Sequence, residues 1–285
     1  MAGEKWKIGG VTVTRIVEIE MSGGLSRFLP DATREAVSEI PWLQPHFANA
    51  DGRMRGSIHA LIIDTGDACV VVDTCVGNDK VRSISAWDHM QTGFLDDMAD
   101  AGYPTDAVDA VLCTHLHVDH VGWNTRLEKG RWVPTFPNAR YLIGADEFAF
   151  WEKRGNDEFF GPVFDDSVKP VFDAGLADLV AMDYRVTPEI SLLPTPGHTP
   201  DHVSVLISSQ GEDALITGDF LHHPYQIAHP EWCANVDEDS TRAEKTRREI
   251  FQRFADTPTL IIGTHFATPT AGRLVTDGDT YRLNV

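Results

Sequence analysis

The sequence predicts a mixed α/β (α+β) protein: two β-sheets packed face to face, with helices outside, in one domain over residues 1–285. Two observations predict it. Strand-like runs lead the chain, and strands and helices then alternate without a repeat, a linker or a low-complexity stretch. Residues able to bind metal recur just where apolar, β-branched runs end, which is where α/β sheets usually hold their sites. Apolar content is 42%, enough for a sizeable core.

Taken in order, Val11 to Ile19 alternates and reads as a half-buried strand. Residues 21–56 form a long excursion with Gly23, Gly24, Pro30, Pro41 and Pro45 and a helical patch near Ala32 to Ile40. So long a connection is usually a lid or an oligomer contact, unless its Trp42, His46 and Phe47 pack onto the body. Strands follow at Ile58 to Asp64 and Ala68 to Asp73, joined by a Thr65-Gly66-Asp67 turn. A helix is expected from Asp88 to Ala101, ended by Gly102. Next come a buried strand at Val108 to Cys113, a strand at Ala139 to Ile143 and a helix from Ala145 to Arg154 stopped by Gly155. Asn156 to Asp178 reads as irregular or helical. Strands at Glu189 to Leu193, Val203 to Ser208 and Asp213 to Thr217 precede a helix opened by a Thr241-Arg242-Ala243-Glu244 capping box and lasting to about Ala255. Thr259 to Gly263, Gly272 to Asp277 and Thr280 to Leu283 are the last strands.

The net charge of −19 argues against a nucleic-acid partner, which would need a basic footprint. No apolar run follows Met1 to Lys7, so a secretory signal is not expected. No segment approaches ~18 uninterrupted apolar residues, so no membrane span is expected either. Cys69, Cys75, Cys113 and Cys233 lack Cys-x-x-Cys spacing and read as free buried thiols in a reducing cytoplasm.

The most informative stretch is Cys113-Thr114-His115-Leu116-His117-Val118-Asp119-His120-Val121-Gly122-Trp123. Imidazole and carboxylate ligate zinc and similar divalent ions, and four such groups beside a buried strand would be costly unless paired or metal-bound. They are too many for one open catalytic ion and suit two. His198, Asp219 and His265 sit at other strand ends and complete five His and two Asp, with Asp219 able to bridge. Asp73, at the end of an earlier strand, either supports ligands from behind or caps its loop.

His-x-His-x-Asp-His, then Gly197-His198, Gly218-Asp219 and Thr264-His265 resemble the metallo-β-lactamase fold superfamily over roughly Ile58 to Phe266. The resemblance implies an αββα sandwich with a dinuclear site. His115, His117 and His198 would hold one metal; Asp119, His120 and His265 the other; Asp219 would lie between, and Asp73 would match the supporting Asp. No Cys stands where β-lactamases of the commonest type use one. His117 replaces the Glu of flavodiiron proteins, the C-terminal helices of glyoxalase II are missing, and so are the added parts of nucleases of this fold. The pattern is most similar to the acyl-homoserine lactonases and the methyl parathion hydrolase group. Those lactonases place a substrate-contacting Tyr three residues after the bridging Asp; here stands His222.

The expected function is therefore metal-dependent hydrolysis of a small-molecule lactone, ester (aryl esters included) or phosphotriester by a metal-bridging hydroxide. Asp119 would ligate and shuttle the proton. His222 would protonate the leaving alkoxide, since imidazole titrates near neutrality, or else be a solvent-facing or capping residue. Zn2+ is the default pair, with Mn2+, Co2+ or Fe2+ also fitting the ligands. An iron-dependent oxygenase on the same scaffold and a non-catalytic metal-binding protein are the alternatives. Trp123, Phe220, His222, Phe266 and part of 21–56 are expected to wall the pocket or to be core. A cytoplasmic homodimer without membrane contact is the expected setting.

Overall fold

Continuous and alternating Val/Ile runs form the strands, because branched side chains pack well on a pleated surface. The structure, a computed structural model, describes residues 3–155 and 161–285. The chain divides into two compact units, Met1–Glu18 with Ile58–Ala181 and Ile19–Ser57 with Met182–Val285. Both sheets are mixed, and helices are in the minority. No helix among the described residues is long and apolar enough to cross a membrane.

Most of the first unit's strands belong to one seven-stranded sheet. Its members are β1 (Lys5–Ile8), β2 (Val11–Ser22), β3 (Arg55–Asp64), β4 (Cys69–Val72), β5 (Ala110–Leu112), β8 (Arg140–Gly144) and β9 (Ala177–Val180), in the order β1-β2-β3-β4-β5-β8-β9. A separate hairpin pairs β6 (Thr125–Glu128) with β7 (Arg131–Pro134). From β4 through β5 and β8 to β9 the pairing is parallel. Parallel strands end on one edge, so Asp73, the His115–His120 loop and the helix Ala145–Arg154 all emerge there.

The second unit has a six-stranded sheet in sequential order: β10 (Ile190–Pro194), β11 (Val203–Ser209), β12 (Glu212–Ile216), β13 (Leu260–Ile262), β14 (Ala271–Asp277) and β15 (Thr280–Asn284). β10 and β12 flank β11 antiparallel to it, and β12 pairs parallel with β13. β10, β12 and β13 thus point the same way, and the segments bearing His198, Asp219 and His265 leave a common edge. The core here is shared by the sheet, the helix Ser240–Phe254 and the 21–56 segment, whose Leu25, Leu29, Val37, Leu43 and Phe47 are buried with Phe220, Tyr225 and Phe251. The apolar side chains of the excursion are therefore core.

Two expectations change. The helix foreseen over 88–101 spans only Phe94–Asp100. Ahead of it, polar groups commit the chain to a loop: Arg82 N donates to Asp88 Oδ1 at 2.9 Å and Thr92 N to Asn78 Oδ1 at 2.8 Å. The helix Ser240–Phe254 is capped by Asp239, which accepts from Arg242 N at 2.9 Å, and not by Thr241. Within the stretch expected to be irregular or helical, residues 156–160 lie outside the described residues; helical turns stand at Phe164–Val168 and Lys169–Asp173, and β9 follows. The β6–β7 hairpin and β1 had no clear signal, because each strand is only four residues long.

Candidate metal centre

Each ligand candidate is positioned by a backbone feature that the sequence encodes locally. In the first unit, β5 ends at Leu112 and the chain turns under control of Asp73. That residue, at φ +57°, accepts from Thr114 N and Thr114 Oγ1, both at 2.8 Å, and from His120 Nδ1 at 2.9 Å. His115 Nδ1 in turn lies 3.1 Å from Thr114 Oγ1. The Thr hydroxyl spends its one proton on Asp73, so it must accept from His115. Both imidazoles therefore carry their proton on Nδ1 and turn a bare Nε2 the other way. Their ring centroids are 4.0 Å apart, too close for two imidazolium charges, and the ring of His117 is 4.6 Å from that of His115. Asp119 Oδ1 stands 3.8 Å from His120 Nε2.

A second carboxylate braces this loop, and the sequence reading missed it. Glu147, fully buried in the helix Ala145–Arg154, accepts from Leu116 N at 3.1 Å and from the indole of Trp151 at 2.8 Å. Trp151 lies edge-on to His117, with centroids 5.4 Å apart. The signal was a Glu in the first turn of a predicted helix, indistinguishable by pattern from a solvent-facing one.

In the second unit, the loop after β10 carries His198. Its Nδ1 is 2.7 Å from Asp237 Oδ1, both side chains being fully buried, and burial pushes the Asp237 carboxyl above the usual carboxylate range. Gly197 has φ +135°, and a Cβ there would stand 2.3 Å from Ala243 N, so the helix Ser240–Phe254 packs directly on the loop. The same helix ties down two loop carbonyls: Thr246 Oγ1 donates to Pro196 O at 2.6 Å and the buried Arg247 to Phe220 O at 2.7 Å. His202 accepts the backbone N–H of Asp219 on Nε2 at 2.7 Å, while its Nδ1 faces Thr195 O at 3.0 Å. Gly218, at φ +58°, leaves room for that ring, since a Cβ would come within 2.6 Å of it.

Asp219 is the hub of this unit's cluster. Its Oδ1 is 3.1 Å from His265 Nε2, and its Oδ2 is 3.7 Å from His198 Nε2 and 3.3 Å from His222 Nε2. His265 donates from Nδ1 to Ser57 O at 3.1 Å, and His198 from Nδ1 to Asp237. With Nδ1 so engaged, both Nε2 atoms turn to the carboxylate oxygens of Asp219. Imidazole nitrogens converging on one carboxylate are a donor set that fits a divalent metal. His198, Asp219 and His222 each offer a ligand atom, all within 4.8 Å of one another.

The aromatics expected as pocket walls are core. Trp123 stacks on Phe94 and donates to Glu18 Oε1 at 2.6 Å; Phe266 packs on Phe47, and Phe220 on Phe251. Their size made them candidates for either role, and the apolar neighbours decided it.

Comparison with known proteins agrees with this architecture. An N-acyl homoserine lactonase of Bacillus cereus is 28% identical over 109 residues, which is 38% of this chain and 36% of the lactonase. The chain thus aligns with about a third of that relative's length. A probable metallo-hydrolase of Mycobacterium tuberculosis is 23% identical over 229 residues, covering 73% of this chain and 74% of the relative. Among solved structures, AidC, a dizinc quorum-quenching lactonase in complex with a product, superposes with a TM-score of 0.78 at 20% identity over 99% of this chain and 96% of its own. The profile of the metallo-beta-lactamase superfamily matches residues 53–265, three quarters of the sequence, and the chain belongs to that superfamily.

Proposed function

We propose that the protein is a metal-dependent hydrolase with a dinuclear centre, in a single metallo-β-lactamase-like domain. His115, His117 and His198 would hold one divalent ion, Asp119, His120 and His265 the other, and Asp219 both. The observation that carries this reading is the division of Asp219: one carboxylate oxygen faces His265 Nε2 and the other faces His198 Nε2. Family membership and the dizinc neighbour point the same way. The bound pair would supply Lewis acidity to a carbonyl or phosphoryl oxygen and bring a coordinated water's pKa down to about 7.

The chain's own residues then have definite tasks. Asp119, only partly buried with 16% of its side chain exposed, can reach incoming water and take its proton. Asp73, Asp237 and the carbonyl of Ser57 engage Nδ1 of their imidazoles and so orient Nε2 for ligation. His222, three residues beyond Asp219, offers an N–H to the departing oxygen. A small lactone is the substrate class the relatives favour, with esters and phosphotriesters next. The four cysteines are free, which suits a reducing, cytoplasmic setting.

The test is metal analysis of the purified protein alongside a panel of lactones, aryl esters and phosphotriesters, in the wild type and in Asp219→Ala. Two divalent ions and hydrolysis are expected in the wild type; the variant should lose activity by at least about 10³-fold and bind less metal. A fully loaded, active variant, or iron with oxygen uptake in place of hydrolysis, would replace this reading.

A further inference from the structure

His222 stands where the sequence departs from the lactonase pattern, and its surroundings are not those of an ordinary buried histidine. Its position is set by backbone: His222 N donates to Gln226 Oε1 at 2.8 Å, and Gln226 is itself fixed by Trp232 O at 2.9 Å. The imidazole is 6% exposed, and neither ring nitrogen makes a hydrogen bond among the described residues. A buried polar group left so is destabilising, a cost that calls for a partner. The ring lies edge-on to His198, centroids 4.8 Å apart, and parallel to His265 at 6.3 Å with 6° between planes.

We infer that His222 Nε2 is an additional metal ligand, sharing with Asp219 Oδ2 and His198 the ion assigned to that side of the carboxylate. Donor atoms about 2.0–2.1 Å from one ion and near a tetrahedral angle stand about 3.3 Å apart. The His222 Nε2 to Asp219 Oδ2 separation is 3.3 Å, and that contact is not a hydrogen bond. Ligation through Nε2 places the proton on Nδ1, which makes no hydrogen bond among the described residues. The inference rests on the dinuclear reading above and adds a ligand to it.

The test uses Co2+ and Zn2+ on the intact protein, in the wild type, His222→Phe and His222→Gln. Stoichiometry comes from elemental analysis, affinity from chelator competition, and coordination number from the visible Co2+ spectrum. Ligation predicts that both variants, folded by circular dichroism, bind one of the two ions at least about tenfold more weakly. Their Co2+ bands should shift as one ligand is lost. Unchanged affinity and spectrum in both variants, with activity reduced, would overturn ligation and leave His222 a donor only. A wild type that takes up no Co2+ or Zn2+ would overturn the dinuclear reading itself, a failure visible before any variant is made.

Discussion

At the scale of single residues, the chemistry depends less on which side chains are ligands than on what stands behind them. His120, His198 and His265 each give their Nδ1 proton to a defined acceptor: Asp73, Asp237 and the carbonyl of Ser57. Asp237→Asn keeps the shape but removes the charge that orients His198. We expect metal affinity to fall about 10–100-fold by chelator competition with little change in melting temperature; unaltered affinity would remove Asp237 from the site. Another buried histidine sets a pH dependence. His223 bridges Phe47 O on Nε2 and Tyr225 N on Nδ1, and burial lowers its pKa from 6.5 to about 4. It is neutral in the fold, whereas the unfolded chain takes up a proton below pH 6.5. The stability this neutral group contributes is thus complete above pH 6.5 and lost as pH falls towards 4, in total roughly 3 kcal/mol. Denaturant melts of wild type and His223→Asn between pH 4.5 and 7.5 should show a shallower pH slope in the variant; parallel slopes would refute the assignment. Asp73 was legible as a supporting residue because it follows a strand. Glu147 and Asp237 were not: both lie outside the metal-binding loops, and only folding brings them to a ligand's back.

At the scale of elements, the helix Ser240–Phe254 anchors two loops of its unit through Thr246 and Arg247. The sequence suggests Thr241 as the N-cap, and the structure has Asp239 instead. Asp239→Ala should cost about 1 kcal/mol, or about 2–4 °C in melting temperature, while Thr241→Ala should leave the melt unchanged. Differential scanning calorimetry of the two variants distinguishes the caps, and a larger loss from Thr241→Ala would reverse the choice. Most strand positions were legible, because apolar runs between turn residues have few other uses; β1, β6, β7 and β9 were not. The helix start at Phe94 was not, because the side chains of Asp88 and Asn78 bond loop amides and compete with the helical ladder.

At the scale of the whole molecule, seven proposed ligands come from two compact units that each contain two separate stretches of chain. If they close on one pair of ions, metal binding is linked to the stability of the fold. Free metal at about 100 times its Kd then adds about 2.7 kcal/mol. Dialysis against a chelator should lower the melting temperature, and adding back Zn2+ should restore it in step with hydrolysis; identical melts with and without metal would count against the shared centre. The sequence alone determined the family pattern, most of the strand positions and the loops that carry the proposed ligands. These are local matters, set by where an apolar run stops and which donors follow it. Only the tertiary structure decided that the 21–56 segment supplies core, that Trp123, Phe220 and Phe266 are packing, and that Glu147, Asp237 and His202 stand behind the ligands. Those outcomes turn on which residues far apart in the chain share a buried volume, and one-dimensional spacing does not carry that information.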